Sequence, residues 1–156
     1  MRQVLAAVAL VAMACGGGEP QANAGAQGGA AAPEAAPAQA GVTGTVHQVQ
    51  MLLTADGKYV YQPATLTVKV GDRVRWINVS GGPHNVAFYP DKIPAGAKDV
   101  LSAGLKDQMS PLAGKLLIQA NEAYEISFAG APVGTYAYFC TPHEMLGMKA
   151  TLTIQQ

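Results

Sequence analysis

All ten aromatic residues of this 156-residue chain lie between Tyr59 and Phe139, so any sizeable core must be built from the middle and end of the chain. Residues 16–42 are nearly all Gly, Ala, Pro and Gln, with Glu19 and Glu34 as their only charges. Such a stretch cannot bury enough branched or aromatic side chain to offset the entropy of ordering. Pro20, Pro33 and Pro37 also interrupt its Ala runs before an isolated helix could persist. A disordered linker is expected over residues 16–42, with a root-mean-square span of roughly 30 Å. The 49% hydrophobic content of the whole chain therefore includes much Ala that packs nothing. Ten basic residues balance ten acidic ones, which offers no electrostatic footprint for nucleic acid.

Upstream of the linker, Arg2 precedes an apolar run over residues 4–13, followed by Ala14-Cys15. A basic start, a short apolar run and small residues at the cut have the form of a secretion signal over residues 1–15. The run is about half the roughly 20 residues needed to cross a bilayer. Cys15 with Gly16-Gly17-Gly18 resembles a bacterial lipoprotein processing site, at which Cys15 becomes the lipidated first residue. Ala12 stands where such sites usually carry Leu, and the alternative is ordinary cleavage nearby with Cys15 discarded. Either way the chain is expected to be exported. The expected location is the periplasm or the outer face of the cytoplasmic membrane, where lipid on Cys15 would anchor it.

Residues 43–156 read as strands and turns. Residues 65–70 alternate polar and apolar, Gly71-Asp72 turns the chain, and residues 73–79 alternate again, which predicts two paired strands. Similar runs occupy residues 46–53, 59–61, 86–89, 116–120, 123–128, 135–140 and 149–154. Residues 97–108 alone place apolar side chains at helical offsets and predict a short helix. The expected fold class is all-β, a two-sheet Greek-key sandwich with one short helix.

With Cys15 assigned to the signal or its anchor, Cys140 is left alone in an exported domain, where cysteines usually pair. A lone Cys can simply be a small buried hydrophobe. Its neighbours argue otherwise: Cys140-Thr141-Pro142-His143-Glu144-Met145-Leu146-Gly147-Met148 puts a thiol, an imidazole and two thioethers on one loop. Soft sulfur with imidazole suits copper. A second imidazole is offered by His84 in Gly81-Gly82-Pro83-His84-Asn85-Val86, on a loop that converges with the first at one end of a Greek-key sandwich. His47 lacks any partner motif and is expected to be an ordinary surface histidine.

These motifs resemble the plastocyanins, within the blue copper (cupredoxin) family. Pro83-His84-Asn85-Val86 and the spacing of Cys140, His143 and Met148 match the family pattern. Gly71-Asp72-Arg73-Val74 leading to Trp76 and Asn78, Ile93-Pro94-Ala95-Gly96, Gly134-Thr135-Tyr136 and Thr151-Leu152-Thr153-Ile154 resemble family segments in the same order. The resemblance spans residues 46–154. It implies a cupredoxin-like sandwich holding one type 1 copper, with His84, Cys140 and His143 in a trigonal plane and Met148 as the long axial ligand. Met145 follows His143 too closely for the plastocyanin loop. The resemblance further implies that the Asn85 amide bonds the Cys140 sulfur while its side chain ties the ligand loops through Thr141.

No nucleophile with an adjacent base, no paired-carboxylate site and no phosphate-binding loop is recognisable. The expectation is therefore an electron-transfer protein and not an enzyme: a one-electron carrier, a monomer, shuttling between membrane-associated redox complexes. The resemblance implies a cytochrome bc- or bf-type donor, with a photosystem or a terminal oxidase as acceptor. Electrons are expected to pass through the exposed edge of His143, with docking on an apolar collar of Gly82, Pro83, Met145 and Leu146. Phe139 stands where many plastocyanins carry Tyr, and the acidic residues are dispersed, so docking is expected to be mainly apolar. Two other classes compete with this reading. A copper-delivery protein needs an open Met-rich patch, which Met13, Met51 and Met109 are too dispersed to form. A structural zinc site in an interaction domain leaves Met148 unexplained.

Overall fold

The computed structural model describes residues 44–156; the signal over 1–15, the lipidation position Cys15 and the linker over 16–42 lie outside the described residues. Eight strands follow in order: β1 Val46–Leu53, β2 Tyr59–Gln62, β3 Thr65–Lys69, β4 Arg73–Asn78, β5 Ala87–Phe88, β6 Ala123–Ser127, β7 Gly134–Phe139 and β8 Lys149–Gln155. One sheet has the order β2-β1-β4-β6 and the other β3-β8-β7-β5. The pairs β1 with β4 and β3 with β8 are parallel, and the remaining pairs are antiparallel. Among the described residues a single α-helix, α1 Ala97–Gly104, lies on the connection between β5 and β6.

Period-two alternation decides which side of each strand faces the partner sheet. Along β4, Val74, Trp76 and Asn78 are buried while Arg73, Arg75 and Ile77 are half covered. Along β8 the buried set is Ala150, Leu152 and Ile154, and along β7 it is Tyr136 and Tyr138. The inward aromatics meet edge to face, Tyr138 against Tyr61 at 4.8 Å and against Trp76 at 5.7 Å between centroids. Such pairs contribute about 0.5–1.5 kcal/mol each beyond their area burial.

Three local expectations need correction. The strands on either side of Gly71-Asp72 do not pair with each other. β3 runs beside β8 and β4 between β1 and β6, so the turn is a corner that carries the chain from one sheet to the other. Alternation records which face of a strand is apolar and is silent about its neighbour, so both strands satisfy it in opposite sheets. The run over residues 116–120 makes no strand; Leu117 forms only an isolated bridge with His84. Finally, α1 stops at Gly104, four residues short of the expected end, and the Gln108 side chain turns back to donate to the carbonyls of Ser102 and Leu105.

His47 is also corrected: its Nε2 lies 2.8 Å from Asp72 Oδ2. The Asp72 carboxylate further accepts the backbone N–H groups of Thr45 and Lys69, each at 2.9 Å. It thus ties the start of β1 to the corner between β3 and β4. The Lys69 N–H, with His47 and Thr45, holds the Asp72 carboxyl below the usual carboxylate range against the opposing effect of burial.

Candidate metal centre

The loop after β4 carries His84 and the loop after β7 carries Cys140, so the site forms where the ends of the two sheets meet. His84 is held from both sides of its backbone, donating to the Leu117 carbonyl at 3.0 Å and accepting from the Leu117 N–H at 2.7 Å. Its ring Nε2 lies 2.9 Å from the Ser80 carbonyl oxygen. A carbonyl only accepts, so Nε2 carries the hydrogen and Nδ1 presents its lone pair. That lone pair faces the other two donors. His84 Nδ1 is 3.6 Å from Cys140 Sγ and 3.2 Å from His143 Nδ1, and the latter two atoms are 3.4 Å apart.

A point equidistant from the corners of this triangle lies about 2 Å from each, the length of a metal–imidazole bond and slightly less than a metal–thiolate one. Among the described residues, His84, Cys140 and His143 are the one such group of His, Cys, Asp or Glu near enough together to hold an ion. All three are buried, His143 retaining 8% exposure. Burial lowers the pKa of His84, against the Ser80 bond that raises it, and burial followed by the neighbouring His84 lowers that of His143. Both shifts favour the neutral ring, the form that can act as a ligand. Burial pushes the Cys140 thiol up, opposed by the backbone N–H groups of Asn85 and His143 directed at the sulfur. A bound cation would reverse the balance, because it stabilises the thiolate directly.

The loop carrying Cys140 is braced internally. Its residues 141–146 form a 3-10 turn, Thr141–Leu146, with Pro142 at the start, where the ring's fixed φ and missing N–H are tolerated. Gly147 ends the turn at φ 89°, a conformation that glycine adopts without strain. Three backbone hydrogen bonds close a ring through the candidate ligands: His143 N–H to Cys140 O at 3.0 Å, Met148 N–H to His143 O at 3.1 Å, and Cys140 N–H to Met148 O at 3.1 Å. Met148 is wholly buried beside Cys140. Met145, by contrast, is 95% exposed.

Asn85 spans the two loops. Its Oδ1 accepts the Thr141 backbone N–H and its Nδ2 donates to Thr141 Oγ1 and to the Gly114 carbonyl, while its own carbonyl accepts the Tyr61 hydroxyl. Of the expected docking residues, Leu146 is 62% exposed, and Gly82 and Pro83 are exposed as well. His143, whose edge is the expected electron path, has the Tyr59 ring lying flat against its face, centroids 3.8 Å apart and planes 10° from parallel. Three contributors to the site carry no recognisable sequence signal. Tyr59 looks like any strand aromatic, Leu117 like any apolar residue, and Ser80 acts through its backbone.

Comparison with known proteins points one way. Residues 48–155 match the family described as copper binding proteins, plastocyanin/azurin family. The chain is 39% identical over 109 residues to the plastocyanin of Scenedesmus fuscus, covering 69% of this chain and 99% of that one. It is 38% identical over 103 residues to the plastocyanin of Nostoc punctiforme, covering 65% and 69% respectively. The oxidised plastocyanin structure from the fern Dryopteris crassirhizoma superposes with a TM-score of 0.53 at 30% identity, over 70% of this chain and all of that one.

Proposed function

Because the chain belongs to the plastocyanin/azurin family of copper binding proteins, we propose that His84, Cys140 and His143, with Met148 as a weaker fourth ligand, would hold its one copper ion. The protein is a blue copper electron carrier. Bound there, copper supplies a one-electron couple between Cu(I) and Cu(II), the thiolate favouring the first and the imidazoles the second. The single observation that carries the ligand assignment is the triangle of Cys140 Sγ and two Nδ1 atoms, 3.2 to 3.6 Å on a side. The backbone ring through Met148 supports its place as the fourth ligand.

The chain's residues keep this centre closed. Three strong ligands and one weak one leave no exchangeable position for a substrate, which favours a carrier over an enzyme. Backbone bonds hold the Cys140 loop, and the Leu117 bridge holds His84, so little needs to move when the charge of the site changes.

The proposed partners are a cytochrome bc- or bf-type donor and a photosystem or terminal oxidase as acceptor, met by a monomer through the apolar surface of Gly82, Pro83, Met145 and Leu146. Residues 1–15 are proposed as an export signal, residues 16–42 as a tether and residues 43–156 as the copper domain. Lipid on Cys15 would keep the domain at the outer face of the cytoplasmic membrane, near its partners.

The decisive experiment is to load the purified protein with Cu(II) and record its visible spectrum. An intense blue band from thiolate-to-copper charge transfer is expected, and Cys140→Ser should abolish it while the fold persists. A colourless copper complex of the unaltered protein would overturn the ligand assignment and favour the structural zinc reading.

A further inference from the structure

The two histidines of the site are held differently. His84 is oriented by a hydrogen bond, Nε2 to the Ser80 carbonyl. Among the described residues, His143 Nε2 has no such partner; the hydrogen-bond-range contacts of its ring are those of Nδ1 to Cys140 and His84. What lies against its face instead is Tyr59, stacked at 3.8 Å and 10°. The same Tyr59 ring meets His84 edge-on at 6.1 Å and 70°.

The surroundings of Tyr59 are built to admit it. Tyr59 opens β2 directly after the turn that ends β1. Gly81, at φ +76°, faces this hairpin, and a Cβ there would lie 3.3 Å from Tyr59 Cε1 and only 2.5 Å from Leu53 Cβ. A side chain at position 81 would push the hairpin off the site. The Leu53 N–H also donates to the Ser80 carbonyl at 3.2 Å, the same oxygen that orients His84. The hairpin is thereby fastened to one ligand loop while its aromatic ring lies on the ligand of the other. The Tyr59 hydroxyl makes no hydrogen bond to the described residues, so it is the ring face that makes the contact.

We propose that Tyr59 is a positioning residue for His143, doing by ring stacking what the Ser80 carbonyl does for His84. The stack keeps the imidazole from turning its Nδ1 away from the centre and so slows release of the metal. The inference rests on His143 being a copper ligand. A lone aromatic stack of this kind alters an opening equilibrium by about 2- to 10-fold.

The test compares the full chain with Tyr59→Phe, Tyr59→Leu and Tyr59→Ala. In the copper-free proteins, NMR of the His143 ring protons reads the ring current of the stacked face. In the copper-loaded, reduced proteins, transfer of the metal to an excess of a Cu(I) chelator reads retention. Tyr59→Phe is expected to keep both the ring-proton shifts and the release rate. Tyr59→Leu and Tyr59→Ala should lose the shifts and release copper about 2- to 10-fold faster, with the rest of the amide spectrum unchanged. Tyr59→Leu serves if the Ala variant does not fold. Release at the wild-type rate from Tyr59→Leu, or ring-proton shifts indifferent to every substitution, would overturn the proposal. A wild-type protein that takes up no copper, yet whose His143 shifts respond to Tyr59, would overturn the ligand reading and this proposal with it, leaving only the stack.

Discussion

Asn85 and Thr141, 56 residues apart, are joined by two hydrogen bonds: Asn85 Oδ1 accepts the Thr141 backbone N–H at 2.8 Å, and Asn85 Nδ2 donates to Thr141 Oγ1 at 3.0 Å. Each residue directly adjoins a candidate ligand, His84 on one side and Cys140 on the other. The pair therefore sets the spacing between the two loops as well as fastening them.

Asn85 is 1% exposed, so Asn85→Ala strands the buried Gly114 carbonyl and takes the acceptor from the part-buried Thr141 N–H. Each stranded group costs about 1–3 kcal/mol, and a total loss of about 3 kcal/mol is expected. Thr141→Val removes one bond and should cost about 1 kcal/mol. Urea unfolding of the copper-free proteins and of the double variant measures both, and the costs should be less than additive because the residues share a contact. Strict additivity would contradict the pairing.

Met148→Leu keeps volume and apolar character in a buried position, so it should cost less than about 1.5 kcal/mol in stability. It removes the thioether proposed as the weak fourth ligand, and redox titration should record a raised potential, because an absent weak donor leaves Cu(II) less stabilised. Met145→Leu, at a position 95% exposed, should leave the potential unchanged. A shift with Met145→Leu and none with Met148→Leu would reverse the assignment.

Asp72 links stability to pH. Its carboxyl is held below its usual value of 3.8, chiefly by the Lys69 N–H and further by His47 and Thr45. A depressed folded-state pKa stabilises above the unfolded value, and that contribution is lost as pH falls through the lower folded value. Asp72→Asn should therefore be less stable than wild type at pH 7 by about 2 kcal/mol, the worth of a charge-assisted hydrogen bond. Denaturant unfolding repeated between pH 7 and pH 2 should show the gap narrowing at the acid end. A gap independent of pH would mean that the carboxylate's charge plays no part.

Residues 43–156 carry nine basic residues, the ten of the chain less Arg2, and eight acidic ones, the ten less Glu19 and Glu34. With Leu146 62% exposed beside Met145, docking through apolar contact should depend little on salt. Reduction kinetics with a membrane cytochrome complex should change by less than about 2-fold between low and physiological ionic strength. Leu146→Ser should weaken association by about 10-fold. A steep fall with salt and an indifferent Leu146→Ser would instead mark charge as the recognition principle.

Much of the site was legible before any tertiary information. Cys140, His143 and Met148 lie on one short loop, and their order along the chain is already most of their geometry. His84 is recognisable because Pro83, Asn85 and Val86 flank it in a known pattern. Tyr59 was not legible as part of the site, since nothing in its local pattern distinguishes it from the inward Tyr61. His47 gave no sign of Asp72, 25 residues away, because the segment around Asp72 carries nothing that points to a histidine partner.

By itself, the sequence determined the β class, the buried face of most strands and which side chains on the last loop converge. These depend on period and spacing along the backbone, which act over a few residues. Tertiary structure alone decided that β3 pairs with β8 and not with β4, that Leu117 clasps His84, and that Tyr59 covers His143. Those contacts join residues of ordinary type that are far apart in the chain. They arise only when two twisted sheets pack and their connecting loops compete for the same end of the sandwich.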